Sequence, residues 1–296
     1  MTCDGDTAEI CGGPNRLSFY EYSATGKRGL AYNNNNPTAN AVYANLFAGY
    51  SKITWGYDWG FPSWGLNSSF ELYVSLLAPL QLLQFIVASK SIPKSSVPML
   101  WGLPSGTDSD WTAAVETTGT KNILGFNEPD LTYSGSSNML PQAAADGFET
   151  YLEPFSDIVK VGTPNVLWNN LGSSSGGDYD SAQWTEYFLG NCTSCHFNFA
   201  CIHYYADCDP SNGNGAAWFE GNVTNAYSFF KLPIWITEFQ CYGTDAQQVA
   251  FLQEVLPWLD SQSYVARYAY FGVFEGYLVN ANGNGLSDIG EAYATT

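Results

Sequence analysis

Residues 122–130 read Asn-Ile-Leu-Gly-Phe-Asn-Glu-Pro-Asp, an apolar run that ends in a polar segment containing proline. The apolar part predicts a short buried strand, which Pro129 ends because proline has no backbone N–H to donate to a sheet. Asn127 and Glu128 then stand at the carboxyl end of that strand. A surface turn is the alternative, since Asn-Glu-Pro-Asp is also typical of turns. A second carboxylate, Glu238, ends another apolar run, Pro-Ile-Trp-Ile-Thr-Glu-Phe, and its position favours a functional pair.

Short apolar runs alternate with segments of helical character from residue 26 to the end of the chain. This alternation, repeated about eight times, predicts an α/β fold, a (β/α)8 TIM barrel in a single domain. An open doubly wound sheet is the alternative, but no Gly-x-Gly-x-x-Gly follows the first strand, which weakens a dinucleotide site. The predicted strands are 27–32, 53–59, 97–101, 122–128, 158–163, 199–205, 233–238 and 268–274. The predicted helices are 38–49, 109–117, 141–155, 181–189, 216–230, 245–261 and 289–293.

The composition excludes several classes of protein. Of the 296 residues, 45% are hydrophobic and only 13% are charged, so a disordered chain is excluded. The formal charge of -18 repels nucleic acid and anionic lipid, and it suits a neutral ligand. The most apolar stretch, 72–89, is interrupted by Pro79 and two glutamines, so no membrane span is expected. Aromatic residues reach 16%, and flat amphipathic rings are surfaces on which sugars stack.

Cysteines and glycosylation sequons indicate the secretory route. The chain has seven cysteines, and disulfides are typical of secreted proteins. Cys208 and Cys241 follow neighbouring predicted strands and could bridge the two loops there, but the sequence alone does not give the disulfide connectivity. Three further cysteines lie close together, which leaves one of them free. A zinc site is disfavoured because no second ligand cluster follows. The three cysteines are Cys192, Cys195 and Cys201, and the sequons begin at Asn67, Asn191 and Asn222.

The first 25 residues differ in character from the rest. Residues 11–17, Cys-Gly-Gly-Pro-Asn-Arg-Leu, resemble the carboxyl end of a WSC domain, a small cysteine-rich extracellular module associated with wall carbohydrate. We expect residues 1–25 to be a remnant of such a module without activity, and residues 26–296 to form the functional domain. The start lacks a basic and apolar leader, so the natural N-terminus is expected further upstream.

The residues that follow the predicted strands suit glycosidic bond cleavage. The carboxyl ends of barrel strands converge on one face, and strands four and seven lie across the barrel from each other. Glu128 and Glu238 are therefore expected to face each other there. Cleavage of a glycosidic bond needs one carboxylic acid and one carboxylate on opposite sides of the sugar. We expect the neighbouring charge to raise the pKa of Glu128, and hydroxyl donors to keep Glu238 ionised.

Several runs, in this order, resemble glycoside hydrolase family 128, the fungal and bacterial β-1,3-glucanases. The resemblance covers roughly residues 26 to 296. The runs are Lys-Arg-Gly-Leu-Ala-Tyr at 27–32, Trp-Gly-Tyr-Asp-Trp at 55–59, Val-Pro-Met-Leu-Trp-Gly at 97–102, Gly-Phe-Asn-Glu-Pro-Asp at 125–130, His-Tyr-Tyr at 203–205 and Ile-Thr-Glu-Phe at 236–239.

This resemblance implies a retaining mechanism with Glu128 as acid/base and Glu238 as nucleophile. It implies that Asn127 contacts the substrate 2-hydroxyl and that the Tyr205 hydroxyl bonds the nucleophile, with His203 on the same strand face. The remaining positions expected to bind substrate are aromatic: Tyr32, Trp55, Trp59, Trp101 and Phe274. A core histidine is the alternative for His203, and packing is the alternative for Trp59 and Trp101. Asp130 is expected to stabilise its loop, and Glu275 to be structural or to contact substrate.

The sequence therefore predicts a secreted or wall-associated β-1,3-glucan hydrolase that is monomeric and has no cofactor or metal. The expected partners are β-1,3-glucan and its oligosaccharides, with no nucleic acid and no membrane. A binding protein of the same fold with little turnover is one alternative, and a structural wall protein is another. Endo or exo action stays open. Residues 61–96 could fold over one end of the cleft, which would favour exo action or short products.

Overall fold

The computed structural model describes residues 26–32, 40–61, 97–104, 109–117, 120–169, 179–212 and 214–296. The proposed module remnant at 1–25, the sequon at Asn67 and nearly all of the segment 61–96 lie outside the described residues. The expectations placed on them stay predictions.

Parallel strands form two sheets within the described part of the chain. The larger sheet has the strand order β2-β1-β8-β7-β6-β5, and β3 pairs with β4 in a smaller one. The α/β expectation is confirmed. The bounds are β1 Arg28–Tyr32, β2 Ile53–Tyr57, β3 Asn122–Ile123, β4 Lys160–Val161, β5 Val166–Leu167, β6 Ala200–Asp207, β7 Ile234–Tyr242 and β8 Val265–Val273.

Backbone hydrogen bonds outside the regular strands link the two sheets into a ring. The segment at 97–100 joins the two sheets. On one side Val97 N donates to Gly56 O at 3.0 Å, and on the other Leu100 N donates to Leu124 O at 3.1 Å. On the other side, Gly162 forms a parallel bridge with Phe199. The third predicted strand is thus reduced to this segment, where Pro98 has no N–H to continue a ladder.

Helices cover the outside of the ring. The predicted bounds of the fifth and sixth helices are those observed. The second helix ends at Thr117 as predicted, and the sequence had left its cap open between Asp108 and Ser109. The third is shorter because a separate 3-10 turn, Glu153–Phe155, follows it. No helix within the described ranges is long and apolar enough to cross a membrane. The bounds are α1 Asn40–Asn45, α2 Ser109–Thr117, α3 Pro141–Tyr151, α4 Ser181–Asn191, α5 Ala216–Phe230, α6 Asp245–Ser261 and α7 Asp288–Thr295.

Side-chain alternation along the strands divides the core in two. One apolar cluster lies between strands and helices, and a smaller one, which includes Trp55, Tyr57 and Trp235, is formed by side chains on the opposite strand faces. Tyr32 belongs to the first cluster and is 1% exposed, whereas Trp55 is 0% exposed. The Trp55 indole N–H donates to Lys27 O at 2.9 Å.

The burial of Tyr32 and Trp55 among protein side chains disfavours the expectation that these two rings bind substrate, and that expectation stays a prediction. Tyr32 points to the layer between sheet and helices, and Trp55 lies four residues before Trp59, too deep to reach the end of the strand. A Cβ on Gly29 would lie 2.2 Å from the Trp55 ring, so the glycine provides the space that this indole fills.

The structure gives the disulfide connectivity that the sequence left open. Cys208 and Cys241 are bridged with an S–S distance of 2.05 Å, at the ends of the neighbouring strands β6 and β7. Cys192 pairs with Cys195, which leaves Cys201 as a free, buried thiol. With both thiols of the Cys192–Cys195 pair bonded to each other, they are not available as thiolate ligands.

The sequons differ in accessibility. Asn222 is only 7% exposed, and its side-chain amide donates to Trp218 O at 2.8 Å within α5. Asn191 is the exposed last residue of α4. Of these two, only Asn191 presents its amide to a modifying enzyme in the folded chain.

Replacement of Cys208 and Cys241 by serine is expected to lower the free energy of unfolding by about 4 kcal/mol, because the bridge closes a long loop in the unfolded chain. The sequence separation of this pair is 33, against 3 for Cys192 and Cys195. Replacement of the second pair is expected to cost only about 2 kcal/mol by the same relation. Urea unfolding of both variants measures the difference, and equal losses would contradict the prediction.

Candidate active site

Two carboxylates and an imidazole meet at the carboxyl ends of the strands. Glu128, His203 and Glu238 are all buried. The His203 Nδ1 lies 2.9 Å from Glu128 Oε1 and 3.5 Å from Glu238 Oε2. One polar atom from each of the three side chains lies within 4.8 Å of the others. His203 is thus not a core histidine remote from the carboxylates, but lies between them.

The backbone conformation of Glu128 directs its side chain into this cluster. Its φ angle of 42° lies in the left-handed region, which a residue with a side chain rarely adopts. The Glu128 N–H donates to Asn165 O at 2.8 Å, a bond that holds this conformation. The Tyr133 hydroxyl, from the loop that follows, donates to Glu128 Oε2.

Glu238 accepts hydrogen bonds from two aromatic side chains, one on β6 and one just after β2. The Tyr205 hydroxyl donates to Glu238 Oε2, as the resemblance implied. The Trp59 indole N–H donates to Glu238 Oε1 at 2.6 Å. With His203 and Tyr133 on Glu128, every oxygen of the two carboxylates has a hydrogen-bond partner or donor. This satisfies the groups whose burial would otherwise be unfavourable.

The pKa of Glu238 is the sum of several opposing effects. Burial raises the pKa of Glu238; the His203 charge opposes this rise, the Glu128 charge adds to it, and the donors Tyr205 and Trp59 lower the pKa. Burial alone would lower the pKa of His203, but the carboxylates of Glu238 and Glu128 reverse this and raise it. The two carboxylates therefore favour the protonated form of His203, which in that form offsets part of their negative charge.

The same three side chains are also of the type that binds divalent cations. Their geometry suits hydrogen bonding better. Each Glu238 oxygen already accepts a bond from an aromatic donor, and Glu128 Oε1 is shared with His203.

Aromatic rings surround the carboxylates. Trp59 stacks on Phe274 with ring centroids 6.2 Å apart, and Tyr205 stacks on Tyr242 at 6.0 Å. Trp101 is 39% exposed, so packing does not account for it within the described part of the chain. The Trp101 carbonyl accepts from Asn127 N at 2.9 Å, which joins the backbone of Trp101 to the residue before Glu128.

Asn127 offers an acceptor to a ligand. Its Nδ2 donates to Gly135 O at 3.1 Å, whereas its Oδ1 is buried and has no hydrogen-bond partner among the described residues. A ligand hydroxyl at this position would satisfy that oxygen.

The two further acidic residues have structural contacts. Asp130 Oδ2 accepts from Ser181 Oγ at 2.6 Å and from Leu167 N at 3.2 Å, so it ties its loop to β5 and α4, as expected. Burial raises the pKa of Asp130 to about 6, against the opposing Ser181 hydrogen bond. Glu275 is exposed and accepts from the Tyr43 hydroxyl, which favours the structural expectation for it.

Two residues at the site carried little sequence signal. Tyr133 lies in an exposed loop with no periodicity that marks it. Asn165 follows the predicted fifth strand in the run Gly-Thr-Pro-Asn. Its position after a strand end is the one sequence feature that points to a place in the site.

Comparisons with known proteins agree with this geometry. The family model described as "Glycosyl hydrolase catalytic core" matches residues 29–293. "Alkali-sensitive linkage protein 1" of Schizosaccharomyces pombe is 30% identical over 286 residues, which cover 92% of this chain but only 45% of that protein.

Solved structures of glycoside hydrolase family 128 share the fold. A curdlan-specific exo-β-1,3-glucanase of subgroup III from Blastomyces gilchristii, in complex with glucose, is 31% identical, with a TM-score of 0.68 over 93% of this chain and 100% of that one. An endo-β-1,3-glucanase of subgroup II from Sorangium cellulosum is 24% identical, with a TM-score of 0.69 over 91% and 98% of the two chains, which bears on the fold alone.

The free energy of unfolding is expected to fall less with rising pH in Asp130→Asn than in the unsubstituted chain. Because the folded pKa of Asp130, about 6, exceeds the ordinary value of 3.8, its contribution is present below that ordinary value and is lost as pH rises through about 6. Relative to the unsubstituted chain, the variant should gain roughly 3 kcal/mol between pH 4 and pH 7.

Urea unfolding at both pH values measures this change. Asp157→Asn is the matched control, since that carboxyl is exposed to solvent. Equal pH dependence in the Asp130 variant and the unsubstituted chain would show that Asp130 does not carry this effect.

Proposed function

The chain belongs to the glycosyl hydrolase catalytic core family, and on this premise we propose that it is a retaining glycosidase that cleaves β-1,3-glucan. Membership of that family makes it a glycoside hydrolase. The choice of β-1,3-glucan is supported by the exo-β-1,3-glucanase that is 31% identical over nearly the whole chain. We assign Glu128 as the general acid/base and Glu238 as the nucleophile.

The spacing of the two carboxylates carries the retaining assignment. Their oxygens approach within 4.8 Å. Retaining glycosidases have carboxyl groups about 5–5.5 Å apart, whereas inverting enzymes leave about 6.5–9.5 Å for a water molecule. The observed approach supports direct attack by one carboxylate on the anomeric carbon.

The partners of each carboxylate support the division of roles. Trp59 and Tyr205 donate to Glu238, which favours its ionised form and fixes its direction of attack. Glu128 protonates the leaving oxygen while Glu238 forms the bond to the sugar. In the second step Glu128 takes a proton from water, which displaces Glu238.

Groups around the pair supply a sugar-binding surface. The buried Asn127 Oδ1 is oriented to accept from a hydroxyl of the sugar bound between the carboxylates. Trp59, Phe274 and Trp101 offer ring faces for stacking, as expected from the sequence. We propose that His203 acts on the carboxylates and not directly on the sugar, since its Nδ1 lies between them.

Extracellular or wall-associated action and a monomeric state are part of the proposal. The two disulfides support an oxidising compartment. The similar structures include exo- and endo-acting enzymes, so the proposal concerns the bond that is cleaved and not the position along the glucan chain.

Glu128→Gln and Glu238→Gln should each lower kcat on laminarin at least 10²- to 10⁴-fold, because general acid–base catalysis contributes about that much and the nucleophile no less. In Glu238→Ala, azide should restore turnover as a glycosyl azide of inverted configuration. Reducing-sugar release and NMR measure these effects.

Glu254→Gln, an exposed change on α6, is the matched control and should keep normal activity. Normal activity of Glu128→Gln would contradict the proposal. Tight binding of laminari-oligosaccharides by the unsubstituted chain, with no sugar released, would instead support the binding-protein alternative.

Tyr205→Phe should move the acidic limb of the kcat/KM profile to higher pH. The Tyr205 hydroxyl lowers the pKa of Glu238, so its removal raises that pKa, and the nucleophile then ionises only at higher pH. Rates measured across pH 3–8 test this.

Tyr242→Phe is the control for the pH profile, since this ring stacks on Tyr205. It should leave the acidic limb in place. An unshifted limb in Tyr205→Phe would contradict the assignment of Glu238 as nucleophile.

A further inference from the structure

We propose that Asn165 and Thr237 are positioning residues that together set the distance between Glu128 and Glu238. This inference rests on the proposed function, because it assigns these residues a role in the same reaction. Both side chains are buried, and their polar atoms bond to each other and to backbone carbonyls. Their effect on the reaction is exerted through the backbone of the two glutamates.

The nucleophile strand is irregular at the residue before Glu238. Along the pairing with β6, Ile202 faces Ile236 but the next residue, His203, faces Glu238. Thr237 is therefore an extra residue on β7, which is the definition of a β-bulge. On the other side of β7 the register also shifts between Ile236 and Phe239. Bulges redirect the side chains beside them, so this one sets the direction of Glu238.

Hydrogen bonds from polar side chains stabilise the bulge, where the regular strand pairing is interrupted. The Thr237 hydroxyl donates to Asn165 Oδ1 at 2.7 Å, with a longer contact of 3.5 Å to Ile202 O. The Thr237 carbonyl accepts from the Tyr57 hydroxyl at 2.8 Å. The short bond to Asn165 fixes the position of the bulge relative to the opposite side of the site.

Asn165 makes the remaining half of the connection. Its backbone N–H donates to Phe126 O at 2.8 Å, and its backbone carbonyl accepts from Glu128 N at 2.8 Å. Its Nδ2 donates to Gly125 O at 3.0 Å and to Phe126 O at 3.2 Å. One fully bonded asparagine therefore joins the backbone of the acid/base directly to the residue that precedes the nucleophile.

The close approach of the two segments depends on Gly125. A Cβ at this position would lie 3.1 Å from both Pro164 N and Thr163 O, which are backbone atoms beside Asn165. The glycine thus permits the short bonds that Asn165 makes.

Thr237→Val tests the pair because it keeps the shape of the side chain and removes its donor. Misplacement of a reacting group by about 1 Å can slow a reaction about 10²-fold. We expect kcat to fall about 10- to 100-fold with KM within threefold of normal. Thr237→Ser, which keeps the hydroxyl, should retain kcat within about threefold.

Asn165→Ala should produce a similar loss of kcat. The kcat of the double variant Asn165→Ala/Thr237→Val should lie within about threefold of the kcat of the slower single variant, because both substitutions remove the same hydrogen bond. If the loss of kcat in the double variant equals the product of the two single losses, the two residues act independently and the proposal is contradicted.

Thr185→Val is the matched control for stability. Thr185 is buried, and its hydroxyl donates to Ser181 O at 2.7 Å on α4, away from the glutamates. It should lower the melting temperature as Thr237→Val does while kcat stays normal. If kcat of Thr237→Val is also normal while Glu128→Gln is inactive, the positioning role is wrong and the proposed function stands. If Glu128→Gln is active, the proposed function itself fails.

Discussion

The repulsion between two buried carboxylates is the constraint on which the rest of this site depends. Two unit charges 4.8 Å apart repel by roughly 3 kcal/mol at an effective dielectric constant of about 20. Burial adds a desolvation penalty to each. The chain offsets this with His203 between the carboxylates and with donors from Trp59, Tyr133 and Tyr205. Such a site is stable only if every donor is held accurately by the surrounding strands.

The two glutamates are positioned by irregular backbone in the barrel and not by its regular strand pairing. Glu128 takes a left-handed φ, and Glu238 follows an extra residue on β7. The first departure lies beyond the end of β3, and the second lies within β7. Because Asn165 bonds to both sides, the acid/base and the nucleophile are positioned relative to each other as well as to the fold.

Much of this arrangement could be predicted from the sequence. Glu128, Glu238, His203 and Tyr205 end apolar runs, and the convergence of strand ends in a parallel barrel brings such residues together. The bounds of α5 and α6 follow from long helical segments between turns.

Other positions were not predictable from the sequence. Tyr32 and Trp55 lie in family-like runs, but only the register and depth of a strand decide whether a ring reaches its end. Tyr133 belongs to a loop whose course depends on tertiary contacts. The raised pKa of Glu238 depends first on burial, which a sequence does not give.

The most direct test of the central claim is covalent trapping of the nucleophile. An activated 2-deoxy-2-fluoro derivative of laminaribiose should form a stable glycosyl-enzyme. Fluorine at C2 destabilises the oxocarbenium-like transition states of both steps, whereas the activated leaving group keeps the first step fast, so the intermediate accumulates. Proteolysis and mass spectrometry should then locate one added fluorinated disaccharide on the peptide that contains Glu238. An adduct on Glu128, or no adduct together with a product of inverted anomeric configuration, would contradict the account.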